Sequence, residues 1–246
     1  MNSLPTQTAD KVRHPYRRPR DSATLILVDR SGAVPKVLLG RRRADLVFMP
    51  NKLVFPGGSV DATDHRIPLA TGLPEGLATK LLAGNPKTTL ARAHALVAAA
   101  IREACEETGL CLGSKPSAPL TPAQKAALNG EWTPFAETGL LPDPSQLYLI
   151  ARAITPPGLV RRFDTRFFTA DISAIAHTVS GVVHADAELV ELKWIELGAA
   201  PLADIHSMTQ SVLDELHARF ALGPLTHQAE VPFFHFRNGA RLRDTL

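Results

Sequence analysis

The stretch "REACEETGL" (residues 102–110) decides how the rest of the chain is interpreted. On a helix, Glu103, Glu106 and Glu107 lie three and four positions apart and project to one side. Like charges at this spacing repel, and the helix macrodipole disfavours anions near a C-terminus. The pattern therefore predicts a cationic partner, and Mg²⁺ or Mn²⁺ suits it because both ions prefer carboxylate oxygen. An ordinary solvated helix face is the structural alternative.

A second informative stretch, "FPGGSVDATD" (residues 55–64), lies upstream of the acidic helix. A proline and two glycines end an apolar run, and we expect Gly58 to hold a backbone shape that glycine adopts most cheaply. Asp61 and Asp64 follow the turn. Each is suited either to bracing the turn or binding a further metal ion, or to capping a turn, which aspartate does well. Capping is favoured for Asp61, and both interpretations stay open for Asp64.

Capping residues set the limits of the acidic helix and of several other elements. Thr88 or Thr89 is a suitable N-cap, and Gly109 a suitable C-cap, so the pattern predicts a helix that ends at Thr108. Thr121 and Gln124 have capping-box spacing. Alternation and apolar runs predict strands at 22–29, 36–42, 52–55, 146–154, 162–172, 187–197 and 231–236, and further helices over 75–83 and 205–222. This mixed order predicts an α/β or α+β fold in which helices cover a mixed sheet.

Composition limits the classes of protein that the chain fits. The formal charge of 27 − 24 = +3 is mild, so we do not expect a nucleic-acid binder, and no apolar run is long enough to span a membrane. Cys105 and Cys111 lack zinc-ligand spacing and are expected to be reduced thiols in a cytoplasmic protein. We predict a flexible segment at 1–21 and a single domain at 22–246 with an insertion at about 65–90 and a C-terminal helical extension.

The two stretches together resemble the signature of the Nudix hydrolase family. That signature is a glycine, five residues, a glutamate, seven residues, and then R-E-U-x-E-E-x-G-U, where U is bulky and apolar. Its second half matches at Arg102, Glu103, Glu106, Glu107, Gly109 and Leu110, while Ala104 is a small substitute for the first U. Gly58 aligns with the opening glycine, and Asp64 stands where the family has glutamate. The halves are separated by 101 − 64 = 37 residues instead of seven, which indicates a surface insertion beside the site; such insertions cost little closure entropy.

The resemblance implies a fold and an activity. The fold is a Nudix-type α/β/α sandwich with a mixed sheet between helices. The activity is hydrolysis of a diphosphate linkage in a nucleotide-linked substrate by water attack on phosphorus, with Mg²⁺ or Mn²⁺ as cofactor. The stretches "MPNKLVFPGG" and "ITPPGLVRRFDTRFF", with the split motif, are similar to the coenzyme A diphosphatase-like branch. Coenzyme A or acyl-CoA is therefore the expected substrate; ADP-ribose or NADH-type substrates, or a non-catalytic nucleotide sensor, are alternatives.

The same resemblance assigns roles to individual residues. The expected metal ligands are Glu103, Glu107, Glu106 and Gly58, the last through its carbonyl. The expected catalytic residues are Glu106 as a base acting through water, Arg102 as an orienting partner of a carboxylate, and Glu188. Glu191 would point away from the site, because residues three apart on a strand face opposite sides.

Arginines provide the expected phosphate contacts. Arg41, Arg162 and Arg166 flank predicted strands, and the guanidinium fork suits phosphate; surface solubility is the alternative for each. Trp194 is expected in the core. The expected partner is a small nucleoside diphosphate derivative, and a homodimer stays open.

Overall fold

The computed structural model describes residues 17–83, 87–199 and 203–246. Most of the expected flexible N-terminal segment (residues 1–16) and residues 84–86 of the expected insertion lie outside this part. The strands are β1 (Arg20–Asp29), β2 (Lys36–Arg42), β3 (Leu53–Val54), β4 (Gly57–Ser59), β5 (Leu110–Ser114), β6 (Leu141–Pro142), β7 (Tyr148–Ile154), β8 (Phe163–Asp171), β9 (Ile175–Thr178), β10 (Leu189–Glu196), β11 (Pro232–Arg237) and β12 (Ala240–Thr245). The α-helices are α1 (Glu75–Leu82), α2 (Leu90–Thr108), α3 (Pro122–Ala127), α4 (Thr133–Thr138) and α5 (Ser207–Leu222).

A mixed sheet forms the middle layer of the fold. Its strands run in the order β10-β2-β1-β8-β7-β11-β12, with β3 beside β2 and β4 beside β1. β1 pairs in parallel with β8, and β7 with β11, whereas the other pairs are antiparallel. A smaller sheet has the order β6-β5-β9. The predicted mixed sheet is confirmed.

Two buried clusters show that helices cover both faces of the sheet. Leu25 and Phe168 on one face pack in a cluster with Leu96, Val97 and Ile101 of α2. The other cluster joins the opposite face of the sheet to Val212, Leu213 and Leu216 of α5. Successive residues of a strand face opposite sides, and both sides of β1 are covered. β1 is therefore buried along nearly its whole length, and its sequence is a continuous apolar run. The predicted α/β/α sandwich is confirmed.

Helix α2 begins and ends where its capping residues predict. The Thr89 side chain accepts a hydrogen bond from the backbone N–H of Arg92, and Gly109 adopts a left-handed conformation with φ of 77°. A left-handed position favours glycine because it has no Cβ. These caps place the acidic residues in the last two turns of the helix.

The insertion is anchored in the core along α2. Ile67, Leu77 and Leu81 are buried in the cluster beneath that helix. Ala70 donates its backbone N–H to the carbonyl of Pro142 at 2.9 Å. The insertion leaves the motif at Asp64 and returns to the start of α2, more than two turns before the acidic residues. It therefore supports the N-terminal part of the helix, and a role of the insertion beside the site stays a prediction.

Three features differ from the sequence expectations. Cys105 and Cys111 form a disulfide with a Cα–Cα distance of 4.5 Å; the chain reverses at Gly109 and brings the second cysteine back to the last turn of α2, so the expectation of free thiols is wrong. Trp194 is 40% exposed because β10 is an edge strand, so its expected place in the core is also wrong. β1 begins at Arg20, two residues earlier than expected.

The C-terminal region adds strands to the sheet as well as a helix. After α5, the chain returns as the hairpin β11–β12, which extends the sheet beyond β7. No helix among the described residues is long and apolar enough to cross a membrane.

Candidate functional site

The glycine turn and the last turns of α2 meet near the N-terminal end of β1. β4 pairs with β1 so that Gly57 lies opposite Thr24 and Gly58 opposite Ala23. The backbone N–H of Gly57 donates a 2.9 Å hydrogen bond to the Glu107 carboxylate. A Cβ atom at Gly58 would overlap the carboxylate of Glu103. A side chain at position 58 would therefore displace the Glu103 carboxylate from the turn.

Arg102 organises the carboxylates around this turn. Its guanidinium is buried and donates to both oxygens of Asp64 at 2.9 and 3.0 Å. The same group donates to Glu103 and Glu106, each at 3.0 Å, and to the carbonyl of Ser59 at 3.0 Å. Burial opposes the charge on Arg102, but the surrounding carboxylates outweigh it and raise the pKa of the guanidinium. The structure thus shows Arg102 pairing with carboxylates, and its part in the reaction stays a prediction.

The two aspartates of the turn have different structural roles. Asp64 is fully buried, holds Arg102 and accepts the backbone N–H of Asp61 at 2.7 Å. Asp61 accepts the backbone N–H and the hydroxyl of Thr63 at 2.9 and 3.0 Å. Asp61 therefore caps a turn, whereas Asp64 braces the motif loop through Arg102. Asp64 does this despite the long insertion that follows it.

Burial raises the pKa values of all three helix glutamates. For Glu106 the pKa rises to about 7, chiefly through loss of hydration, with Glu103 and Glu131 adding repulsion and Arg102 opposing the rise. Burial also raises the pKa of Glu103, and it raises that of Glu107 well above the ordinary value, helped by repulsion from Glu103. A positive charge placed nearby favours the ionised form of such carboxyl groups and lowers their pKa values again.

The donor set suits a divalent cation, although the side chains are held by protein partners. Glu106 Oε1 is buried and has no hydrogen-bond partner in the described part of the chain. Within residues 17–83, 87–199 and 203–246, no group of three His, Cys, Asp or Glu side chains converges as a complete ligand set. The reason is visible in the contacts: Arg102 holds Glu103 and Glu106, and Gly57 holds Glu107.

Glu188 faces the site, and Glu191 is held elsewhere. Glu188 accepts from Arg42 Nη1 at 2.5 Å, and its charge raises the pKa values of Glu103 and Glu107. Glu191 instead accepts from Arg41 Nε at 2.9 Å. The different surroundings of the two acids agree with the expectation that only one turns toward the helix glutamates. A catalytic role for Glu188 stays a prediction.

The arginines expected to bind phosphate lie in different surroundings. Arg166 is 2% exposed and donates to Asp21 and to the backbone carbonyl of Asp164. Arg162 is buried and donates to the carbonyls of Thr155 and Arg17. Both residues are buried, and their role in phosphate binding stays a prediction.

Arg41 is partly exposed and is shared between Glu191 and Asp204. Its role in substrate binding stays a prediction.

Sequence reasoning missed two charged groups near the carboxylates. Glu131, in the short 3-10 turn Gly130–Trp132, lies near enough to raise the pKa of Glu106. Arg42 partly opposes the rise in the pKa of Glu107. Glu131 is outside the motif and carries no spacing signal. Arg42 follows Arg41 on β2. Because successive residues of a strand face opposite sides, assigning the two faces of β2 would have separated Arg42 from Arg41.

Comparison with solved structures identifies the class of fold. A Nudix hydrolase from Alicyclobacillus acidocaldarius matches with a TM-score of 0.57 and 26% identity, over 85% of this chain and 97% of that one. A Nudix hydrolase from M. smegmatis, RenU, has a TM-score of 0.42 and 18% identity, over 84% and 89% of the two chains. No family model and no curated protein matches the sequence.

The two halves of the motif meet in this fold. Gly58 meets the helix at Glu103, and the acidic residues lie in the last turns of α2. Together with the likeness to the Alicyclobacillus enzyme, this arrangement supports the resemblance of the chain to the Nudix hydrolase family.

Proposed function

We propose that the protein is a divalent-metal-dependent diphosphatase that hydrolyses a diphosphate linkage in a nucleotide-linked substrate. The observation that carries this proposal is the largely buried, partly unsatisfied cluster in which Glu107 is buried and Glu103 and Glu106 are partly buried against the Gly57–Gly58 turn. A solvated acidic helix face would leave these groups hydrated, with ordinary pKa values. Here Glu107 is 9% exposed, so its charge needs compensation in the working state.

Mg²⁺ or Mn²⁺ bound here would neutralise diphosphate charge and lower the pKa of an attacking water. Glu103, Glu106, Glu107 and the Gly58 carbonyl are the groups that would hold the ion. Arg102 now occupies two of these carboxylates, and its bidentate contact with Asp64 keeps it anchored when they turn away. Arg102 is thus a positioning residue, which fixes the helix against the turn.

Glu106 is the group best placed to take a proton from water. A general base works best when its pKa is close to the working pH, and burial raises the pKa of Glu106 to about 7. One oxygen of Glu106 accepts no hydrogen bond among the described residues. Glu188 is the second candidate, since it faces Glu103 and Glu107 from the start of β10.

Coenzyme A or an acyl-CoA is the proposed substrate. Support comes from the sequence similarity around the glycine turn and the β7–β8 connection. ADP-ribose or NADH-type substrates are the enzymatic alternatives. A nucleotide sensor without turnover is the non-enzymatic alternative, but such a protein would not need all three helix glutamates.

Turnover measurements with a set of substrates test this proposal. Coenzyme A, acetyl-CoA, ADP-ribose and NADH would be offered with Mg²⁺ or Mn²⁺, and the products separated by chromatography. We expect hydrolysis at the diphosphate linkage, fastest with coenzyme A or its thioester, and none in the presence of EDTA. Undiminished turnover in EDTA would contradict metal dependence, and binding without turnover of any substrate would favour the sensor.

A further inference from the structure

A pair of aromatic rings joins the β2–β3 connection to the start of β8. Phe48 belongs to the connection between β2 and β3, and Phe163 begins β8. Their ring centroids are 5.8 Å apart, with an angle of 67° between the planes. Both residues are half-buried, and neither joins one of the two core clusters found in the described residues. The pair therefore presents aromatic surface that packing of the core does not use.

Other apolar side chains on the same two loops are exposed to solvent. Val47 is 82% exposed, Leu159 43% and Val160 46%. These side chains add apolar surface on the two connections that the Phe48–Phe163 contact brings together. The loops are adjoining because Phe48 touches Phe163 across them.

One guanidinium connects this surface to the acidic site. Arg42 donates its Nε–H to the carbonyl of Phe48 at 2.9 Å and its Nη1–H to Glu188 at 2.5 Å. Glu188 in turn acts electrostatically on Glu103 and Glu107. A ligand whose diphosphate lies at the glutamates therefore has the aromatic pair within reach of its remaining groups.

We propose that Phe48 and Phe163 form the subsite for the nucleobase of the substrate. This inference rests on the proposed function and adds the part of the substrate that lies away from the phosphates. A nucleobase fits better than a hydrocarbon chain because the rim of the surface is polar: Arg43 pairs with Asp45 at 2.6 Å beside Phe48. A base can stack on a ring and direct its polar edge to that rim, whereas a hydrocarbon chain would desolvate the ion pair without replacing its hydration.

Calorimetric titration with two simple probes tests the subsite without requiring turnover. ADP carries a base and a diphosphate, and inorganic pyrophosphate carries only the phosphates; both are titrated into the full chain with Mg²⁺. The variants are Phe48→Leu and Phe163→Leu, which keep apolar volume and remove the aromatic face. Phe220→Leu is the matched control. Phe220 lies beside Arg30, after the C-terminal end of β1, whereas Phe163 lies opposite Arg20 at the N-terminal end of β1. The control residue is therefore remote from the proposed subsite.

We expect each subsite variant to weaken ADP binding about tenfold, the order expected for loss of one stacking face. Pyrophosphate binding should change less than about twofold in these variants, and the Phe220→Leu protein should bind both probes like wild type. Unchanged ADP binding, or an equal loss for both probes, would overturn the subsite. Failure of wild type to hydrolyse any diphosphate while the ADP effect persists would overturn the proposed function alone.

Discussion

Two clusters of arginine and carboxylate lie on the same side of the sheet, and they differ in balance. At the end of α2, Arg102 contacts Asp64, Glu103 and Glu106, and an oxygen of Glu106 is left unpartnered among the described residues. Near the start of α2, three arginines meet two aspartates in a closed network of ion pairs. These five residues are Arg92, Arg152, Arg166, Asp21 and Asp164.

The difference in charge balance distinguishes the candidate site around Arg102 from the structural network of five residues. In the second cluster each charge has an opposite charge beside it, and burial with neighbouring arginines lowers the pKa of Arg166 to about 10. In the first, burial raises the pKa of Glu106 to about 7. Both clusters are buried to a large extent, so burial does not distinguish them. The first cluster differs because its carboxylates outnumber its arginines, and this excess of negative charge favours binding of a cation.

The largest expected effect is on turnover. Glu106→Gln removes the proposed base and one proposed metal ligand but keeps side-chain volume, so kcat should fall about 10²–10⁴-fold. The melting temperature should hold or rise, because a buried charge is removed. Steady-state kinetics and thermal unfolding measure the two quantities. A variant that turns over at the wild-type rate would exclude Glu106 from the reaction.

The structural cluster should respond in the opposite way. Asp164→Asn leaves Arg152 and Arg166 without a carboxylate they now share, and breaking a buried pair costs about 3–5 kcal/mol. Chemical denaturation should show this loss of unfolding free energy, whereas kcat of the folded fraction should stay within about twofold of wild type. Unchanged stability with a large fall in kcat would reverse the roles assigned to the two clusters.

The pH dependence of stability distinguishes the clusters further. The folded pKa of Glu106, about 7, lies above the ordinary 4.5, so its contribution to stability is fully present below about pH 4.5 and is lost as pH rises through 7. Without metal, wild type should lose about 5–10 °C of melting temperature between pH 5 and 8 relative to Glu106→Gln. Parallel curves for the two proteins would contradict the raised pKa.

The smallest effect concerns the cap that sets the length of the acidic helix. Thr89→Ala removes the side-chain acceptor for the Arg92 N–H and should cost about 1 kcal/mol of unfolding free energy. Because Thr89 lies at the opposite end of α2 from the glutamates, KM and kcat should be unchanged. A change in kinetics would show that the start of the helix is coupled to the site.

The local features of the sequence predicted much of the fold. The caps at Thr89 and Gly109 and the capping box at Thr121 have the contacts that their spacing indicates, because such contacts involve only neighbouring residues. The meeting of the glycine turn with Glu103 was also predictable, through the motif. The strands β5 and β9 were missed, since each depends on pairing with a segment distant in sequence; β12 was also missed, although it pairs with the adjacent strand β11.

Residue roles that depend on tertiary packing could not be predicted in the same way. Nothing in the sequence around Arg166 shows that β1 and β8 enclose it beside Asp21 and Asp164. The disulfide likewise depends on the reversal of the chain at Gly109, which brings Cys111 to Cys105. Burial was also needed to resolve the two interpretations of Asp64.

Manganese binding followed by electron paramagnetic resonance tests the central claim most directly. Wild type and a Glu103→Gln/Glu107→Gln double variant would be titrated with Mn²⁺ at pH 8, and free ion read from its solution signal. The account predicts saturable binding to wild type and at least a tenfold weaker affinity for the double variant. Equal binding by both proteins, or none by wild type in the presence of ADP, would contradict the claim that the acidic face of α2 holds a divalent ion.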